Sequence, residues 1–134
     1  MAVITVTQAS VFAATGSSVG TGVAGVTVAR GDCVYLASDG KYDLADANDS
    51  AATAVVAGIA LNGASDGQPL DFIKSGTLTV GSVATVGLVY YLSQTAGGID
   101  DAVPAQNDWV TTLGIGLTSS TIKVSLNVSG VQKP

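Results

Sequence analysis

The stretch Thr121-Ile122-Lys123-Val124-Ser125-Leu126-Asn127-Val128 alternates polar and apolar residues without a break. Side chains of a β-strand point to opposite faces in turn, so this pattern predicts a strand with one buried and one solvated face. The shorter run Thr77-Leu78-Thr79-Val80 has the same alternation. Both segments therefore indicate a half-buried antiparallel sheet.

A weak internal repeat surrounds these strands. Gly31–Leu36 is similar to Gly87–Leu92, and Ala57–Leu61 is similar to Leu113–Leu117, both at an offset of 56 residues. Residues 31–80 and 87–128 would then be two similar β units that pack together, since each alone would expose an apolar face. The alternative is that strand and turn composition produced the match by chance.

Tight-turn signals divide the rest of the chain into short strands. Asp39-Gly40 and Asn62-Gly63 lie between apolar runs, and both dipeptides tolerate positive φ. The sequence therefore predicts an all-β fold, a compact β-sandwich or barrel, with residues 26–134 as a single β domain.

Residues 1–25 are rich in Gly, Ser, Thr and Ala and have few large apolar groups. We expect residues 1–25 to form an extended N-terminal arm, which becomes ordered through contacts with neighbouring molecules. Phe12 in the arm and Trp109 in a loop-like stretch are each either a cap on the core or an intermolecular anchor. The candidate interface residues, from the arm and the anchors, are Val3, Ile4, Val6, Val11, Phe12 and Trp109.

The side chains present argue against an enzyme. The chain has no histidine, and all ten acidic residues are Asp, so histidine-based catalytic groups are impossible within it. Adjacent Asp100 and Asp101 would point to opposite faces of a strand, which weakens them as a catalytic pair. We therefore predict no enzymatic activity, no cofactor and no metal, and we expect Cys33 to be a small buried apolar residue.

The distribution of charge and hydropathy bears on partners and location. The formal net charge is −5 and the five basic residues are scattered, so we expect no nucleic-acid partner. The longest nearly apolar run, residues 51–61, is too short to span a bilayer, and no basic residue precedes Arg30. We expect a protein made in the cytoplasm, with no membrane contact.

Several segments resemble a family of small proteins encoded in the structural gene clusters of tailed bacteriophages. The resemblance runs from Val23 to the end, and its residues include Tyr35-Leu36, the turn Asp39-Gly40-Lys41-Tyr42, the stretch Ala54–Ala64, and Val89–Ile99. It implies a β-rich decoration or cement protein that binds the major capsid protein on the capsid exterior of the virion. It also implies homotrimers on local threefold axes, with N-terminal arms that reach a neighbour.

A second function class stays open beside this one. The same fold could serve in a phage tail or fibre as an attachment or carbohydrate-binding module. That role needs exposed aromatic rings that stack on sugars, and Trp109 with Tyr90 or Tyr91 are the candidates.

Overall fold

The computed structural model describes residues 4–134 and confirms the prediction of a compact all-β fold. Its antiparallel strands form one curled sheet with the shape of a half-barrel. Within the described residues, the helical structure is the single 3₁₀ turn Gln8–Ser10. The strands are β1 Phe12–Ala13, β2 Ser18–Val23, β3 Cys33–Leu36, β4 Tyr42–Leu44, β5 Gly58–Ala60, β6 Pro69–Thr79, β7 Val89–Leu92, β8 Ile99–Asp100, β9 Trp109–Gly116 and β10 Thr121–Gln132.

The strand order is symmetric about the pair formed by β6 and β10. It runs β4-β3-β5-β6-β10-β9-β7-β8, so each half consists of a hairpin, an inner strand and a long strand. The two similar segments of the sequence fall on equivalent strands, because β3 begins at Cys33 and β7 begins 56 residues later at Val89. Gly58 of β5 and Gly114 of β9 are related by the same offset.

Strands β3, β5 and the first half of β6 are buried on both faces. In each strand two consecutive residues point into two different apolar clusters. The first cluster receives Cys33, Ile59 and Ile73, which lie side by side in the sheet register. The second cluster receives Val34, Ala60 and Phe72. This three-strand layer therefore separates the two halves of the core.

A β-bulge changes the orientation of β6 midway along its length. Ser18 pairs with Ser75 and Val19 pairs with Ile73, which leaves Lys74 as the extra residue. Such an insertion shifts the alternation of side chains by one position. Phe72 therefore packs in the second cluster, whereas Leu78, an even number of residues later, packs in the first.

The N-terminal segment is part of this sheet, which corrects the expectation of an arm ordered by neighbouring molecules. β1 and β2 pair with one edge of β6, while β5 and β10 share the other edge. Val11 is fully buried in the first cluster. Ala24 bridges Tyr42, and the Gly25 N–H donates to the Tyr42 carbonyl at 2.8 Å, so β2 reaches β4 and encloses the second cluster.

The two-sided burial of β5 predicts a large effect of truncation at Ile59. Ile59→Ala should lower the free energy of unfolding by about 2–5 kcal/mol, because it removes buried methyl groups and leaves a cavity. Val55→Ala is the control, since Val55 is 50% exposed and should change stability by less than about 0.5 kcal/mol. Urea unfolding of both variants measures the difference, and equal losses would contradict the assignment of β5 to the core.

Candidate interaction surface

The second half of β6 and the strands beside it present one solvent-exposed sheet face. In antiparallel sheets, directly opposed residues point to the same side. Phe12, Thr79 and Thr121 are opposed across β1, β6 and β10. A second row runs across β6, β10, β9 and β7 through Thr77, Lys123, Ile115 and Val89. We call this surface the outer face; it comprises Phe12, Thr77, Thr79, Val89, Ile115, Leu117, Thr121 and Lys123.

Large apolar side chains are exposed on the outer face. Phe12 is 55% exposed, Ile115 is 50% exposed and Leu117 is 49% exposed. Leu117 lies beside Thr121, because its N–H donates to the Thr121 carbonyl at 3.0 Å. Thr77, Thr79 and Thr121 lie between these apolar side chains. Their side chains are short and β-branched, so they project little from the sheet and have few rotamers. Several exposed apolar side chains on one sheet face are typical of interaction sites.

Charge is distributed unevenly over the strands. None of the ten acidic residues lies on β1, β2, β7, β9 or β10, and Lys123 is the single charged side chain of those strands. Most carboxylates lie instead on the opposite half of the sheet or in loops, with Asp39, Asp43 and Asp46 in or beside the β3–β4 hairpin, and Asp100 of β8 is buried. The outer face is therefore almost neutral in a protein whose net charge is −5.

A shallow groove of about 380 Å³ crosses the outer face between β7, β9 and β10. Val89 and Ile115 supply its apolar wall, and Thr112, Lys123, Ser125 and Asn127 supply polar groups. The register shifts by one residue on both sides of β9, near Tyr90 in β7 and after Val124 in β10. Such shifts increase the local twist of a sheet, which is consistent with a groove at this place.

The predicted interface residues lie in different environments. Phe12 is exposed on the outer face. Val11 is fully buried, which corrects its interpretation as a contact for a neighbour, and Ile4 and Val6 are partly buried against the first cluster. Val3 lies outside the described residues.

Trp109 corresponds to the core-cap alternative of the two that the sequence left open. Its side chain is half-buried and packs against the first cluster, and the backbone N–H of Trp109 donates to the Ala47 carbonyl at 2.7 Å. Tyr90 is fully buried, and its hydroxyl accepts from the Thr85 N–H at 2.8 Å. These two rings are thus held by internal contacts.

A second, smaller cavity lies where the N-terminal segment meets the β7–β8 turn. It has a volume of about 290 Å³ and is lined by Ile4, Arg30, Asp32 and Gly97 among others. Arg30 donates to the Val11 carbonyl, and Asp32 accepts from the Ala29 N–H at 2.9 Å. Burial raises the pKa of Asp32, and the Ala29 bond only partly opposes this. Arg30 thus holds the N-terminal segment at Val11, whereas the bond of Asp32 closes a local turn at Ala29.

The single thiol of the chain, that of Cys33, is fully buried. Burial raises the pKa of the Cys33 thiol well above its usual range, and the nearby Asp32 carboxylate adds to the effect. Residues 4–134 contain no cluster of three or more side chains of the types that bind metals.

Comparison with protein-family models and with curated protein sequences gives no match. Over residues 4–134, no helix has the length and apolar character that crossing a bilayer would require. The outer face is the feature from which a function can be argued.

Of the outer-face residues, sequence reasoning named Phe12 alone as an interface candidate; among those it missed are the exposed apolar Ile115 and Leu117 and the charged Lys123. The alternation of residues 121–128 does place Lys123 on the wet side of its strand. The sequence does not say that Ile115 and Phe12 reach the same face, because this depends on which strands are neighbours.

The buried Asp100 predicts a pH-dependent change in stability. Asp100 is 0% exposed, and both of its carboxylate oxygens lack a hydrogen-bond partner. Burial raises its pKa above the ordinary value of 3.8, and the negative charges of Asp101 and Asp108 raise it further. A raised pKa in the folded state means that the ionised form is disfavoured by folding, so stability is lost as the pH rises through that pKa.

Asp100→Asn should therefore be more stable than the wild type at pH 7. The advantage should shrink as the pH falls toward 3.8 and below, where the wild-type carboxyl is protonated in both states. Urea unfolding at several pH values measures this, with Asp71→Asn as the control, because Asp71 is exposed and is not among the charges that raise the pKa of Asp100. A stability difference that does not change with pH would contradict the explanation.

Proposed function

We propose that this chain is a structural virion protein, a decoration or cement protein that binds the outer surface of a phage capsid through its outer face. The observation that carries the proposal is a nearly uncharged sheet face with exposed Phe12, Ile115 and Leu117 in an otherwise acidic protein. The resemblance to small proteins of tailed-phage structural gene clusters supports the same role. The major capsid protein is the proposed partner.

The distribution of apolar groups supports docking by this face. Burying exposed apolar surface contributes about 25 cal/mol per Å², and large aromatic residues often dominate such contacts. Phe12 projects from a two-residue edge strand, so it can enter a recess of a partner without disturbing the long strands. Its position suits an anchor better than that of Trp109, which packs against the core.

The distribution of charge supports a defined orientation. With the outer face against the shell, the acidic β3–β4 hairpin points toward solvent. Like charge on that side keeps particles apart in solution, since net charge opposes association. The few charges on the outer face also reduce the cost of desolvating it on docking.

Lattice repetition explains how modest contacts would stabilise a shell. A protein that binds the intact shell but not separated subunits shifts the equilibrium toward the shell by mass action. The resemblance suggests a homotrimer on a local threefold axis, and three linked contacts would bind more tightly than one through effective concentration. Because β1 and β2 belong to the protein's own sheet, we assign the contact to the outer face rather than to an arm.

The alternative role in a tail or fibre has less support. Sugar stacking needs accessible aromatic faces, whereas Tyr90 is fully buried and Trp109 is half-buried against the first cluster. Glycan binding that Trp109→Ala abolishes would favour that role.

The proposal predicts that Phe12→Asp and Ile115→Asp each weaken binding to shells prepared without the protein by tenfold or more. Each substitution places a carboxylate where apolar surface would be buried, which costs at least about 1.4 kcal/mol, or a factor of ten. Sedimentation of the protein with purified shells measures the bound fraction.

Val55→Asp is the matched control. Val55 is 50% exposed, and it lies across the first cluster from the outer face, because the carbonyl of its neighbour Ala54 accepts from the buried Thr111 hydroxyl. It should bind as the wild type does. Thermal unfolding checks that all three variants fold. Full shell occupancy by both outer-face variants would overturn the proposed use of this face.

A further inference from the structure

We propose that the groove around Lys123 takes a carboxylate side chain, Asp or Glu, carried by an extended segment of the partner protein. This inference rests on the proposed function and goes beyond it, because it names the chemistry of the partner at one position. It begins from the electrostatic isolation of Lys123.

Within residues 4–134, Lys123 forms no salt bridge. The salt bridge found in residues 4–134 joins Lys41 to Asp66 on the opposite half of the molecule. In the sheet register Lys123 is flanked by Thr77 and Ile115, neither of which is charged. The other strands beside the groove, β7 and β9, contribute no charged residue at all.

Docking by the outer face would remove this ammonium group from water. An unpaired buried charge is among the most costly features that an interface can contain. Lys123 lies in the centre of the row that joins Thr77 to Val89, so a partner that covers Phe12 and Ile115 also covers it. The partner must therefore supply an anionic group at this position, and a protein partner supplies it as a carboxylate.

The other polar groups of the groove suit a carboxylate-bearing peptide segment. Thr112, Ser125 and Asn127 line the groove, and within the described residues their side chains make no hydrogen bond to another protein group. Hydroxyl and amide donors beside an ammonium group can share the two oxygens of one carboxylate. Val89 and Ile115 provide apolar contact for the aliphatic part of an Asp or Glu side chain and for its neighbours.

The space available agrees with a few residues of extended chain. The groove has a volume of about 380 Å³ and is open to solvent along the sheet. The lysine ammonium group is a point charge, unlike the planar guanidinium group of arginine. We therefore expect Lys123 to determine the register of the bound segment and to make binding depend on salt concentration.

The test measures the affinity of the protein for purified shells at low and high salt, with Lys123→Met and Lys123→Glu. Lys123→Met should bind about tenfold more weakly at low salt and should lose most of the salt dependence of the wild type. Lys123→Glu should bind more weakly still, because it places like charges together. Lys74→Met is the matched control, since Lys74 is exposed at the β6 bulge outside the groove, and it should stay within about twofold.

The outcomes separate this inference from the proposed function. Binding of Lys123→Met with unchanged affinity and unchanged salt dependence would overturn the carboxylate assignment. If Phe12→Asp abolishes binding in the same assay while Lys123→Glu does not, the outer face is the docking site and the groove inference alone is wrong. Failure of the folded wild-type protein to bind shells at any salt concentration would overturn both.

Discussion

The burial of one three-strand layer on both faces is the constraint on which the rest of the structure depends. β3, β5 and the first half of β6 each send consecutive side chains into two separate apolar clusters. A shift of one residue in any of these strands would exchange the two sets of side chains. The register of Cys33, Ile59 and Ile73 is therefore fixed from both sides, and the strands that pair with this layer take their positions from it.

The outer face arises where this two-sided burial ends. The bulge at Lys74 turns the second half of β6 so that Leu78 completes the first cluster, while Thr77 and Thr79 point away from it. β10 then continues the sheet beyond the reach of the second cluster. Nothing within residues 4–134 packs on that side of β9 and β10, and Ile115 is left half-exposed. The proposed docking surface is thus a direct consequence of how β6 passes from one half of the sheet to the other.

The placement of charge follows the same division. Most Asp residues lie in turns or in and beside the hairpin that encloses the second cluster, and short hydrogen-bonded turns use Asp39 and Asp46. The buried Asp100 of β8 is an exception. β1, β7, β9 and β10 carry apolar, hydroxyl, amide and glycine residues, with Lys123 as the single charged residue. A molecule built in this way has one side suited to water and one suited to another protein, and its orientation on a partner is set by this asymmetry.

The sequence by itself determined the class of fold, most of the turns and the wet and dry sides of single strands, because alternation and positive-φ glycines are local properties of the chain. The burial of Cys33 and the exposure of Lys123 could both be predicted in this way. The tertiary structure alone decided the role of the N-terminal segment, which its composition suggested was an arm. A methyl group at Gly20 would lie 2.5 Å from a carbon of the Phe72 ring, so this glycine serves close packing rather than flexibility. The tertiary structure also decided that Phe12 is exposed and that Trp109 packs on the core. A local pattern contains no information about which strand lies opposite another.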